Sequence, residues 1–143
     1  MTLQQNGAKS VTGDFLIRKV LLTNAVSSGA CGLLLLLFPK YVTDWTGLDN
    51  RSALIGTGIF LLIVVSFLVW AATKKVVPYR GVLIFSIVDL LWVVDSILLL
   101  GANGSVVTLT VFGIWAIILV AVVVGIFAIF EASYCWRNRL YSK

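Results

Sequence analysis

The sequence predicts an all-α polytopic membrane protein, an up-down-up-down bundle of four transmembrane helices. Three observations carry that prediction. Of the 143 residues 60% are hydrophobic and 12% charged, with a mean hydropathy of +1.06. A soluble domain is about 45–50% apolar and about 25% charged. Four segments, 20–38, 53–73, 82–100 and 106–130, each reach the roughly 17–25 mostly apolar residues that cross a bilayer as a helix. The connections between them are short, which makes consecutive helices antiparallel neighbours. A β-barrel would need alternating segments, and runs such as LLLLLF (33–38) and LLIVVSFLVW (61–70) do not alternate.

The elements follow in order. Residues 1–19 form an N-terminal tail, 20–133 the transmembrane domain and 134–143 a basic tail. Residues 1–13, rich in Gln, Asn, Gly, Ser and Thr, are expected to be mobile. Segment 20–38 is expected to be retained as the first helix rather than cleaved as a signal peptide. A polar stretch precedes it and no small-residue cleavage site follows. Pro39 stops this helix, because proline lacks the N–H and disfavours helix in the residue before it. The connection 39–52 carries Tyr41 and Trp45, which suit a membrane interface, and Asp49 or Asn50 can cap the second helix. The second connection, KKVVPYRG, places Pro78 and Tyr79 in the same roles, and the third, GANGS (101–105), is a tight turn.

Charge predicts orientation. Lys9, Arg18, Lys19, Lys74, Lys75, Arg80, Arg137, Arg139 and Lys143 fall on one side, against Lys40 and Arg51 on the other. The positive-inside rule then puts both termini in the cytoplasm, across an inner or plasma membrane. The net charge of +5 belongs to this rim and to anionic lipid, not to nucleic acid.

The residue inventory excludes several chemistries. There is no His and one Met, so haem and common transition-metal sites lack their usual ligands. The two cysteines, Cys31 and Cys135, form no CxxC, and a disulfide between them is not expected in a reducing compartment. A nucleophilic Ser or Cys has no base to activate it. The chain is therefore expected not to be an enzyme and to need no cofactor or metal.

Two carboxylates interrupt the third apolar segment. Asp89 and Asp95 each cost roughly 2.5–3.5 kcal/mol at the centre of a spanning helix. They must be neutralised by a proton, satisfied by hydrogen bonds, or face water or a cation. At about 100° and 1.5 Å per residue they lie about 120° and 9 Å apart. They share a broad face with Trp92 and Ser96, the aliphatic side of the helix being Ile87, Leu90, Val94 and Ile97. The first helix carries a matching stripe, Asn24, Ser27, Ser28 and Cys31, at i, i+3, i+4 and i+7. Asp89, Asp95, Asn24, Ser27 and Ser28 are the expected proton or cation site, with Trp92 available to stack on a ligand. Glu131 reads as a solvated charge near Arg137 at the end of the fourth helix. Gly56, Gly58, Gly113 and Gly125, and the Ser28–Gly32 pair, read as positions of close helix approach.

This pattern favours a small transporter or channel, proton- or cation-linked, acting as a homo-oligomer or with a partner membrane protein on a small ion or solute. The alternative is a non-catalytic membrane subunit or scaffold, its polar residues serving as hydrogen-bond glue worth about 0.6 kcal/mol each. The stretches NAVSSGACGLLLLLFP (24–39) and DLLWVVDS (89–96), with a GxG helix between them, resemble small four-helix integral membrane proteins of bacteria. That resemblance implies the four-helix fold and no particular activity. Small proton-coupled multidrug exporters carry an acid in the first helix where this chain has Asn24, and small fluoride channels carry other polar motifs.

Overall fold

The computed structural model describes the backbone of residues 2–141 and the side chains of residues 14–137. The described residues form five helices, α1 (Thr2–Leu37), α2 (Pro39–Thr46), α3 (Arg51–Thr73), α4 (Tyr79–Gly101) and α5 (Val111–Tyr141). Four of them contain stretches long and apolar enough to cross a membrane, Asp14–Leu37, Arg51–Thr73, Tyr79–Gly101 and Val111–Arg137. The fold is the expected all-α bundle, and its outer surface is hydrophobic. Phe67, Trp70, Ile97, Leu98, Trp115 and Leu119 all expose more than half of their surface. Such a continuous apolar exterior requires lipid or protein around it.

The boundaries depart from expectation in several places. Helix α1 begins at Thr2, so it continues through residues expected to be a tail. No proline interrupts the chain before position 39, and adding turns to an existing helix is far easier than starting one. Residues 39–46, expected to be loop, form α2. Pro39 sits at its first turn, where its missing N–H is harmless. Phe38, at φ −127° and ψ 42°, breaks the helical path between α1 and α2. Gly47 closes α2 at φ 79°, a left-handed conformation that glycine adopts without a Cβ penalty. Residues 106–110, expected within the fourth helix, instead belong to the turn before α5. Thr110 explains the shift: its Oγ1 accepts from Gly113 N at 3.0 Å and so caps α5. The same residue ties the turn to α2, its backbone N donating to Thr46 O at 3.0 Å and its hydroxyl to Trp45 O. At the α3 start Asn50, not Asp49, is the cap, accepting from Ala53 N at 3.0 Å.

The helices pack as two antiparallel pairs, α1 on α3 and α4 on α5, joined by sparser contacts between α1 and α5. Within the first pair the backbones nearly touch. A Cβ on Gly58 would lie 2.8 Å from Gly32 O, so only glycine permits this approach. Two separate apolar clusters fill the bundle. The larger, including Ile17, Leu21, Leu68, Ala71, Val82 and Phe85, fills the end that bears the termini. The smaller, Leu35, Val42, Leu54 and Leu61, lies under α2. Arg18 locks the terminal end by donating to Ala72 O and Lys75 O, both at 2.6 Å, which occupies free carbonyls at the end of α3.

Candidate functional site

Buried polar groups mark the layer between the two clusters. Asp89 stands ten residues into α4, and Glu131 stands ten residues before the end of α5. The two helices run antiparallel, so both carboxyls sit roughly 15 Å along the helix from the same end of the bundle. Asn24 of α1 joins them. Its Nδ2 donates to Asp89 Oδ2 at 2.7 Å and to Glu131 Oε1 at 3.4 Å, while its Oδ1 accepts from Ser28 Oγ at 3.0 Å. Both amide hydrogens are thereby used, and three helices converge on one side chain. The exposures are 1% for Asn24, 7% for Asp89 and 0% for Glu131. Water therefore satisfies little of what the protein leaves open.

Glu131 is left incomplete. Its Oε2 is fully buried and accepts no hydrogen bond from the described residues. An unpaired polar group of this kind costs about 1–3 kcal/mol, and more when charged. Of the two cations that most closely precede Asn24 on α1, Arg18 is engaged by the carbonyls of Ala72 and Lys75, and Lys19 lies over the Phe15 ring at 4.5 Å. The reading of Glu131 as a solvated interfacial charge is thus overturned. Helix α5 continues to Tyr141, which places Glu131 well inside it, and Arg137, six residues on, projects from a different face.

The other expected site residues divide. Asn24, Ser28 and Asp89 are brought together by direct hydrogen bonds. Ser27 donates to the Asn24 backbone O at 3.1 Å, and with Ser28 and Asp89 it lines a cavity of about 190 Å³ between the helix pairs. Trp92, the expected stacking residue, lines the same cavity, together with Cys31 and apolar side chains of α3 and α5. Asp95 does not join them. It is exposed on the outer surface of α4, while Ser96 beside it is buried and donates to Trp92 O at 2.8 Å. The 120° between the aspartates suffices to put one inside the bundle and the other on its exterior. Ser86, one turn before Asp89, is also buried and donates to Ala128 O at 3.1 Å, fastening α4 to α5 beside the site.

The cavity lies on the α2 side of the Asn24–Asp89–Glu131 layer. On α1 its lining residues follow Asn24, and on α5 they precede Glu131. Asp89 belongs to both. Among the described residues no cluster of three or more Cys, Asp or Glu is arranged to hold a metal ion. What the arrangement can hold is a proton or a single positive charge at the carboxyls, and a small apolar body in the cavity. Compared with known proteins, the chain matches no family model, no curated protein and no solved structure.

Proposed function

We propose that the chain is a small proton- or cation-linked membrane transporter or channel, with Asn24, Asp89 and Glu131 as its ion-handling centre. The observation that carries this reading is the pairing of Asp89 and Glu131 on one neutral amide, with Glu131 Oε2 unpartnered. The two bonded oxygens lie within about 6 Å of each other, and two full charges at that separation repel by about 3 kcal/mol at an effective dielectric of about 20. A proton or a cation relieves that repulsion, so the charge state of the pair responds to what occupies it. Ionisable groups held inside a spanning bundle most often serve such passage. The basic residues then orient the chain with both termini in the cytoplasm, in an inner or plasma membrane.

The test is reconstitution of the purified chain into liposomes under an imposed pH gradient, with and without opposing Na⁺ and K⁺ gradients. A trapped pH dye reads proton flux. Wild-type protein should carry flux, and Asp89→Asn and Glu131→Gln should each lower it at least tenfold. Equal flux in wild type and both variants would rule the reading out.

One observation favours the alternative of a non-catalytic subunit or scaffold. Asn24 cross-links α1, α4 and α5, as structural glue would. That reading predicts lower stability or loss of a partner in the same variants, with no change in any flux.

A further inference from the structure

The cavity above the carboxyl layer has a chemistry of its own. Its walls are aliphatic and aromatic, from Phe60 and Leu61 on α3, Trp92 on α4 and Val120 and Val124 on α5. Asp89 is the one carboxylate among its lining residues, and Asn24 engages only its Oδ2. The hydroxyls of Ser27 and Ser28 already donate to Asn24. A hard metal ion would want six or more oxygen ligands, and this lining offers half that number of oxygen-bearing side chains. An anion would meet the carboxylate. A neutral hydrocarbon would leave Asp89 uncompensated. An apolar cavity of roughly 150 Å³ takes benzene, so about 190 Å³ accommodates one ring and a short substituent.

We propose that this cavity binds a small organic cation, an ammonium group on a hydrocarbon body about the size of one ring, with Asp89 as counter-ion and Trp92 as aromatic wall. The inference rests on the reading of Asp89 as an ion-handling group and names what that group takes. Trp92 lies three residues from Asp89, on the same side of α4, and both line the cavity. A cation held by the carboxylate therefore lies within reach of the indole face, which attracts positive charge. A few placed polar groups in an otherwise apolar cleft are the general form of a small-molecule site.

The experiment is isothermal titration calorimetry of the full chain in detergent, with benzylammonium and with neutral benzyl alcohol of the same size. Wild-type protein should bind benzylammonium at least tenfold more tightly than benzyl alcohol. Asp89→Asn should abolish that preference, and Val120→Phe, which fills the cavity and keeps every polar group, should weaken both ligands at least tenfold. Equal binding of the two ligands by wild type, or a preference that survives Asp89→Asn, overturns the proposal. If Asp89→Asn does not give folded protein, Val120→Phe decides, and unchanged benzylammonium affinity there overturns it. Proton flux in Glu131→Gln, a residue outside the cavity lining, separates this inference from the transport reading. Lost flux without an ammonium preference removes the cavity ligand and keeps the proton site. An ammonium preference with unaltered flux keeps the cavity ligand and removes proton-linked transport.

Discussion

Asp89 and Glu131 reach the same nitrogen, Asn24 Nδ2, from two different helices, at 2.7 and 3.4 Å. Neither carboxyl has a second donor among the hydrogen bonds of the described residues, and Asn24 has no further amide hydrogen to give, its Oδ1 accepting from Ser28. The neutral amide thus sets the distance between two acids that would otherwise repel, and places one of them at the floor of a cavity.

Removing that amide should be felt at both acids. Asn24→Ala leaves two buried carboxyls without their shared donor, and we expect a loss of roughly 1–3 kcal/mol. A double-mutant cycle with Asp89→Ala should give a coupling of about 0.6 kcal/mol, the average for hydrogen bonds between membrane helices, and at most about 1.7 kcal/mol. Reversible unfolding in detergent or bicelles measures it. A coupling indistinguishable from zero would mean that the Asn24–Asp89 bond carries no net interaction.

Much of this architecture is legible in the sequence because hydropathy alone marks a spanning helix. The Asn24–Ser27–Ser28 stripe is legible for a related reason: polar side chains at i, i+3 and i+4 in an apolar helix can only form one face. Glu131 is not legible in the same way. The segment after Phe130, EASYCWRNR, loses apolarity, so a hydropathy reading ends the helix there. Backbone hydrogen bonding carries α5 on to Tyr141 and turns an apparent end into an interior. The available signal was the absence of Pro and Gly between Glu131 and Tyr141. Asp95 fails for a different reason. A helical wheel gives the angle between Asp89 and Asp95 but not which edge the neighbouring helices cover. Helix α2 is too short for periodicity to reveal it, although Pro39 at its start and buried Val42 and Thr46 four residues apart carry a faint trace.

The contact between α1 and α3 makes a sharp contrast between two nearby glycines. A Cβ on Gly58 would meet Gly32 O at 2.8 Å, and backbone cannot step aside as a flexible side chain can. Gly58→Ala should therefore force the helices apart and cost roughly 1–3 kcal/mol. A Cβ on Gly56 meets nothing within 4 Å. Gly56→Ala should be neutral, or stabilising by up to about 1 kcal/mol through helix propensity. Thermal unfolding of the two variants side by side decides it, and a Gly58→Ala protein as stable as Gly56→Ala would contradict the close approach.

Asp95 should be dispensable to the ion-handling centre. It is exposed on the outside of α4, among exposed Leu91, Val94 and Leu98. Asp95→Leu removes a carboxylate from that surface, so flux in liposomes should match wild type and stability should hold or rise. An Asp95→Leu protein that folds but loses flux would return Asp95 to the conduction path.

The cavity and the carboxyl pair share Asp89, and that sharing predicts how pH acts on ligand binding. The groups facing Asp89 are Asn24 and Ser28 from α1 and Glu131 from α5, joined through the Asn24 amide. On the cavity side Cys31 is the other titratable lining residue, and the α3 lining residues carry no charge. Cys135, one turn beyond Glu131, is buried with its thiol on Tyr79 O. A proton on Asp89 removes the charge that an ammonium would neutralise, so proton and ammonium exclude each other there. Linkage then requires that binding the cation weakens proton binding by the same factor that the proton weakens cation binding. Benzylammonium keeps its charge between about pH 6 and pH 8. Its affinity should therefore fall wherever acidification puts a proton on Asp89, by at most tenfold per pH unit for one exchanged proton. Benzyl alcohol, which has no charge to lose a partner for, should bind independently of pH. Calorimetry across the range in two buffers of different ionisation enthalpy also counts the protons released, and an ammonium affinity that rises toward acid would refute the competition.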